Sequence, residues 1–262
     1  MKANKLAALV VTTYISFGFT AQASAPQPVF SPEQEARIGE IAAEYLVAHP
    51  SILVTVSQKL QARQQEQQQK IFALSVMENQ AALLHDPDTP VAGPDDAKVA
   101  VIEFFDYQCV FCSHFAPELE KVMKAQPDVR YFFKEWPIFG SRWDTSLQAA
   151  QIGLSVWKEK GSQAYVTYHN AVYATGHYEG ALTTEDIREA AVKAGVSEPA
   201  KNDHTALLEK NSNLAESLGL TGTPGIIVMP LSGATPDTIT VFPQAVTAGQ
   251  LQAAIRKATQ TH

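Results

Sequence analysis

Cys109 and Cys112 are the only cysteines in the 262-residue chain, and they stand in the motif Cys109-Val110-Phe111-Cys112. The motif directly follows the apolar run Val99-Ala100-Val101-Ile102-Glu103-Phe104-Phe105, so it reads as a redox dithiol at the end of a strand. If Ser113 to Met123 forms a helix, Cys109 lies at its N-terminus, where unpaired N–H groups and the macrodipole favour a thiolate. The thiolate is the nucleophile of disulfide exchange. A structural disulfide between these residues would close a loop of only two residues and constrain the unfolded chain little. Zinc would need two further ligands, and only His114 is close in sequence. Copper(I) tolerates low coordination, so a copper-binding role of the same two thiolates stays open as the alternative.

The rest of the chain must position these sulfurs. Lys2 and Lys5, the apolar run from Leu6 to Phe19 and the small residues Ala21 to Ala25 match a secretory signal peptide. Residues 1–23 are expected to be removed, because cleavage after Ala25 would leave Pro26 as the first residue. The run falls short of the ~20 residues needed to span a bilayer. Without the two leader lysines, 18 basic residues face 27 acidic ones, a net charge of −9. That balance argues against nucleic acid or anionic lipid as a partner. An exported, oxidising compartment, the periplasm, is the expected location.

From Ser31 to Leu84 the pattern is helical. Ser31-Pro32-Glu33-Gln34 supplies a start signal, Ile38, Ile41, Ala42, Tyr45 and Leu46 recur at helical spacing, and His49-Pro50-Ser51 breaks one helix and starts another. The second helix carries Leu53, Val56 and Leu60, loses its apolar stripe through the glutamine run 61–70, and regains it at Ile71, Leu74, Leu83 and Leu84. Such narrow stripes cannot form a core alone. They either fold back on their own domain or associate between chains as a short coiled coil. The glutamine run reads as a solvated helix or semi-flexible arm. The breaker-rich stretch 85–96 marks a boundary, so residues 24–90 are expected to be a helical oligomerisation segment with its linker, and 91–262 the domain that carries the dithiol.

In that domain, strands at 98–105 and 129–134 flank the motif helix. A helical insert follows at about 144–218, then a hairpin from 225–229 and 238–242, and a last helix capped by Thr247. This order predicts an α/β thioredoxin fold with an inserted helical subdomain, preceded by an α-helical N-terminal segment.

The stretch Phe104 to Cys112, together with Trp136-Pro137, Gly222-Thr223-Pro224-Gly225 and the closing Phe242-Pro243 to Leu251, resembles the DsbA family of exported thiol–disulfide oxidoreductases. With its added helical segment the chain is most similar to the ScsC-type and BcfH-type members, some of which are trimers held by that segment and act as disulfide isomerases. The resemblance implies forming, reshuffling or reducing disulfides in secreted proteins. It makes Cys109 the exposed attacking thiol and Cys112 the buried resolving one, which agrees with their order along the helix. It places a cis proline at Pro224 and makes Thr223 the main-chain docking residue for an extended substrate. It puts the family's buried acid at Glu103, where burial would raise the carboxyl pKa and let it handle the Cys112 proton; the alternative is an edge-facing, solvated glutamate. No cofactor beyond the Cys109–Cys112 couple and no resident metal is implied. The expected partners are unfolded or misoxidised exported proteins, a membrane redox partner that resets the dithiol, and further copies of the chain, as a trimer or dimer, through residues 31–84.

One residue departs from the family's strong oxidants. They carry histidine where this chain has Phe111, which offers no side-chain donor to the thiolate, so a milder oxidant is expected. His114 points about 200° away from Cys112 on a helix and reads as a surface residue.

Overall fold

The computed structural model describes residues 29–200 and 202–260, so the expected signal peptide lies outside the described residues. The described residues divide into two units, with the boundary between Lys59 and Leu60. In the first, α1 (Pro32–Ala48) opens with a reciprocal cap. Ser31 Oγ accepts from the Gln34 N–H at 3.3 Å, and Gln34 Oε1 accepts from the Ser31 N–H at 2.9 Å. After the break at His49-Pro50, α2 (Ser51–Glu78) begins. Ile38, Ile41, Tyr45, Leu53 and Val56 are all exposed, and no residue of α1 is buried.

The second unit is built on a five-stranded sheet in the order β1-β3-β2-β4-β5. β2 (Val99–Phe105) is central and buried at every residue, as its near-continuous apolar sequence requires. It runs parallel to β3 (Arg130–Glu135), with α4 (Val110–Ala125) as the crossover, and antiparallel to β4 (Gly225–Pro230). β4 turns into the short edge strand β5 (Thr240–Phe242), and α9 (Ala248–Ala258) closes the chain behind a Thr247 cap. Between β3 and β4 lies the helical insert of α5 (Asp144–Lys160), α6 (Ser162–Tyr173), α7 (Thr184–Lys193) and α8 (Thr205–Ser217). This is the thioredoxin order with a helical insert.

The domain extends further upstream than the boundary expected at residue 91. One face of the sheet presents Ala100, Ile102, Phe104, Phe132, Ile227 and Met229, and this apolar face needs a cover. The C-terminal part of α2 and the short α3 (Gln80–Leu84) supply it through Phe72, Ala73, Val76 and Leu83. The expected stripe at Ile71 and Leu74 is therefore on the wrong side, since both are exposed. The glutamine run is not wholly solvated either. Gln69 Nε2 donates to the Val241 carbonyl at 2.7 Å while the Val241 N–H donates to Gln69 Oε1 at 3.2 Å.

The breaker-rich stretch also holds a strand, β1 (Val91–Ala92), antiparallel to β3. Lys134 fixes its approach, donating from a fully buried Nζ to Thr89 Oγ1 at 2.6 Å and to the Ala82 carbonyl at 3.0 Å. Burial pushes this amine down to about 8. Leu83 has no exposed surface, so Leu83→Ala should cost about 2–5 kcal/mol in urea unfolding, where a solvated linker residue would cost almost nothing.

Candidate active site

The dithiol sits where β2 hands over to α4, and the hand-over is held by side chains of the insert. Asp106, the first residue past β2, is buried and accepts from the Gln108 N–H at 2.7 Å, the Phe139 N–H at 2.9 Å and Ser146 Oγ at 2.8 Å. Burial pushes its carboxyl up against these three donors. Gln108 is clamped on the other side, donating to Thr145 Oγ1 at 2.6 Å and accepting from the Gly180 N–H at 2.8 Å. The Tyr173 hydroxyl donates to the Asp106 carbonyl at 3.0 Å. The loop that presents the sulfurs is thus bolted to α5, α6 and the turn after α6.

Cys109 is the N-cap of α4, in extended conformation, and its Sγ donates to the Thr223 carbonyl at 3.2 Å. Both cysteines are free thiols. The Cys109 pKa is lowered from 9.0 to about 6, chiefly by the Cys112 thiol donating to it, then by Thr223 and the N–H groups of Cys112 and Phe111, all working against burial. Cys112 is fully buried, and burial pushes its thiol well above 9.0. Cys109 is less open than expected, with 4% of its surface exposed, because the sulfur rests against the Thr223 backbone. Phe111, by contrast, is 61% exposed. His114 is exposed and meets Tyr178 edge-on at 6.3 Å, so it takes no part in the dithiol.

These shifts give a pH signature. Alkylation of Cys109 should rise with a midpoint near pH 6 while Cys112 stays unreactive to well above pH 9. A fold that favours the thiolate also gains stability from it. The reduced protein should hold a margin over Cys109→Ser that is complete above the unfolded thiol's value of 9.0 and is lost as the pH falls through about 6. Thermal unfolding of both proteins at pH 5, 7 and 9 measures it.

Thr223 and Pro224 are joined by a cis peptide bond and lie directly ahead of β4, across from the dithiol. Thr223 Oγ1 is buried beside the Cys109 sulfur, where it favours the thiolate. Glu103 is not an edge residue. It lies in the central strand between Phe133 and Ile226, 1% exposed, and burial followed by the charge of Cys109 pushes its carboxyl up to about 8. The structure therefore brings all five expected residues to one place, with Cys109 meeting Thr223 and Glu103 behind.

Several residues here carry no sequence signal. Glu135 is fully buried and accepts from the Tyr165 hydroxyl at 2.7 Å and the Tyr107 hydroxyl at 3.1 Å. Burial pushes its carboxyl well up. Gly153 of α5 leaves room for this cluster, since a Cβ there would come within 2.8 Å of Glu135 Oε1. His169, on α6, is buried beside Glu103.

A family model described as thioredoxin matches residues 85–246, and one described as the copper resistance protein ScsC N-terminal domain matches residues 34–67. BcfH of Salmonella enterica Typhimurium superposes with a TM-score of 0.70 at 40% identity, covering 86% of this chain and 96% of that one. A periplasmic thioredoxin-like protein from the same serovar gives 0.58 at 28% identity, over 69% of this chain and 96% of that one. Disulfide bond formation protein D of Bacillus subtilis is 29% identical over 155 residues, which is 53% of this chain and 67% of that protein. A buried CxxC at the N-terminus of α4, faced by a cis proline in a thioredoxin sheet and preceded by an ScsC-type helical segment, places this chain in the DsbA family of thiol–disulfide oxidoreductases, among its ScsC- and BcfH-type members.

Proposed function

We propose that this oxidoreductase is exported to the periplasm and reshuffles disulfides in unfolded or misoxidised secreted proteins, working as a homo-oligomer. The observation that carries the reading is the pairing of two unlike thiols at the start of α4, one lowered to about 6 chiefly by the Cys112 thiol and one buried and held protonated behind it. In this reading Cys109 attacks a substrate disulfide and Cys112 resolves the mixed disulfide. Thr223 and Pro224 align the substrate strand, and Glu103 handles the Cys112 proton. A membrane redox partner resets the dithiol.

Isomerase character is supported by two features. A Cys109 value of about 6 lies well above that of a strong oxidant, near 3.5. A thiolate of this kind attacks readily and leaves again. The exposed stripe of Ile38, Ile41, Tyr45, Leu53 and Val56 lies in or beside the segment matched by the ScsC N-terminal model, and a second copy of the chain is its fitting partner. Export is supported by the leader-like residues 1–23 and by the periplasmic relative.

Reactivation of scrambled ribonuclease, read together with solution mass by light scattering, tests the proposal. Reactivation by an oligomer is the expected result, and insulin reduction without reactivation would leave a simple oxidoreductase. The description of the matched N-terminal model favours a second reading, copper(I) held by Cys109 and Cys112. Stoichiometric copper retained against a competing chelator, with no exchange activity, would establish it.

A further inference from the structure

Glu103 cannot serve Cys112 unaided. A carboxyl that begins protonated at neutral pH must lose its own proton before it can accept another, and Glu103 is 1% exposed in the middle of the sheet. It needs an outlet. His169 lies against it, also 1% exposed, in an aromatic box with Phe105 at 5.0 Å, Tyr173 at 5.0 Å and Phe133 at 5.3 Å.

The two groups face each other with nothing else to bond. His169 Nε2 is 3.8 Å from Glu103 Oε2, and neither Nε2 nor either Glu103 oxygen has a hydrogen-bond partner among the described residues. An inward shift of about 1 Å would join them at hydrogen-bond distance. The far side of the ring is oriented. Nδ1 lies 3.0 Å from Asn170 Oδ1, which assigns the hydrogen to Nδ1 and leaves the Nε2 lone pair towards the acid. Asn170 in turn lines a surface cleft of about 170 Å³ with Ser113, Glu120 and Tyr173.

Of the other polar groups packed around the box, the tyrosine hydroxyls and Asp106 are already engaged, and Glu135, whose second oxygen has no partner among the described residues, is itself buried and away from the cleft. The hydroxyls of Tyr107 and Tyr165 go to Glu135, that of Tyr168 to the Ala149 carbonyl and that of Tyr173 to the Asp106 carbonyl. Asp106 is held by three donors, and α4 contributes Cys109 and Cys112 on the dithiol side and Glu120 at the cleft. His169 is left as the polar group beside Glu103 whose other ring nitrogen meets a residue of the cleft, Asn170.

We propose that His169 is a proton-relay residue that carries the Glu103 proton to the cleft at Asn170 during resolution of the mixed disulfide. The proposal rests on Glu103 serving Cys112. Glu103 gives its proton to Nε2 as Nδ1 releases one towards Asn170 and the solvent water of the cleft, so the ring exchanges tautomers and carries no net charge. The Glu103 carboxylate then takes the Cys112 proton. The Cys112 sulfur attacks Cys109 Sγ, the Cys109–substrate S–S bond breaks, and the substrate sulfur leaves as a thiolate with the bonding pair. The dithiol is oxidised, the substrate is reduced, and one proton has left. When the dithiol is reduced again the path runs backwards and restores the starting tautomer. Burial holds the ring down to about 4, so it stays neutral at neutral pH, and uptake at Nε2 has to be matched by release from Nδ1 rather than pass through a charged imidazolium.

The test is single-turnover resolution of a mixed disulfide on the intact chain between pH 5 and 9, with Glu103→Gln, His169→Phe, their double variant and Asn170→Ala. His169→Phe keeps an aromatic ring and should slow resolution about a hundredfold at pH 7, the low end of general acid–base effects. The rate should recover above about pH 8, where Glu103 ionises without help, and the double variant should be no slower than Glu103→Gln. A structural defect would slow resolution at every pH. If His169→Phe does not fold, Asn170→Ala at the cleft decides, with a few-fold loss of the same pH form expected. Wild-type rates in the His169 and Asn170 variants beside a slow Glu103→Gln overturn the relay and leave the Glu103 role standing. A wild-type rate in Glu103→Gln overturns both.

Discussion

Cys109→Ser should reduce disulfide exchange to the uncatalysed background, while Cys112→Ser should keep attacking and accumulate mixed disulfides with its substrates. The size of the difference follows from the two thiols. With a value of about 6, Cys109 is a thiolate in about nine molecules of ten at pH 7. Cys112, pushed well above 9.0, is a thiolate in fewer than about one in a hundred. Only Cys109 is both charged and near the surface, so removing it leaves no nucleophile that a substrate can reach. Removing Cys112 leaves the first step intact and blocks the second. Non-reducing gels and mass spectrometry of acid-trapped protein read the outcome directly. Mixed disulfides in the Cys109 variant alone would reverse the assignment.

Deleting residues 24–59 should abolish oligomerisation and most isomerase activity while sparing insulin reduction. The exposed apolar residues Ile38, Ile41, Leu53 and Val56 fall inside this deletion, and the compact second unit begins at Leu60. Several dithiols facing one bound substrate raise the effective concentration of attacking thiolate, which repeated reshuffling needs and a single transfer does not. Deleting residues 24–90 is a different experiment. It strips Phe72, Ala73, Val76 and Leu83 from the sheet face they cover. At about 2–5 kcal/mol for each large side chain, that loss consumes a total stability of about 5–15 kcal/mol. The shorter deletion should give a folded monomer and the longer one an unfolded chain, by light scattering and circular dichroism. A full-length monomer, or a truncated form that isomerises as well as the intact chain, would overturn the role of the arm.

The strands around Cys109 and the closing hairpin were legible because near-continuous apolar runs bounded by turn residues leave few alternatives. Glu103 was legible as a single charge inside such a run. The docking of α2 was not. Ile71 and Leu74 lie on one side of the helix and Phe72, Ala73 and Val76 on another, and only the distant sheet face decides which is covered. Periodicity along the chain carries no information about that choice. His169 and Asp106 were missed for a similar reason. A histidine in an ordinary helical stretch and an aspartate after a strand become buried only when the insert folds over the dithiol loop, through contacts such as Tyr173 to the Asp106 carbonyl. The exposure of Cys109 was overestimated because the Thr223 backbone that covers it comes from 114 residues further on.

The Gln69 clamp has a consequence for how this protein survives its work. In the proposed role the protein would meet exposed strands of unfolded chains, and an open edge of its own sheet would be a template for their aggregation. β1 and β5 are the sheet's two edges, and both are short; at β5, only three residues long, the outward N–H and C=O of Val241 are already taken by the Gln69 amide. Lys257 Nζ takes the neighbouring Ile239 carbonyl at 3.0 Å. A single glutamine and a lysine thus act as gatekeepers of the β5 edge, closing it to added strands, which in the proposed role leaves the backbone beside Cys109 for the substrate.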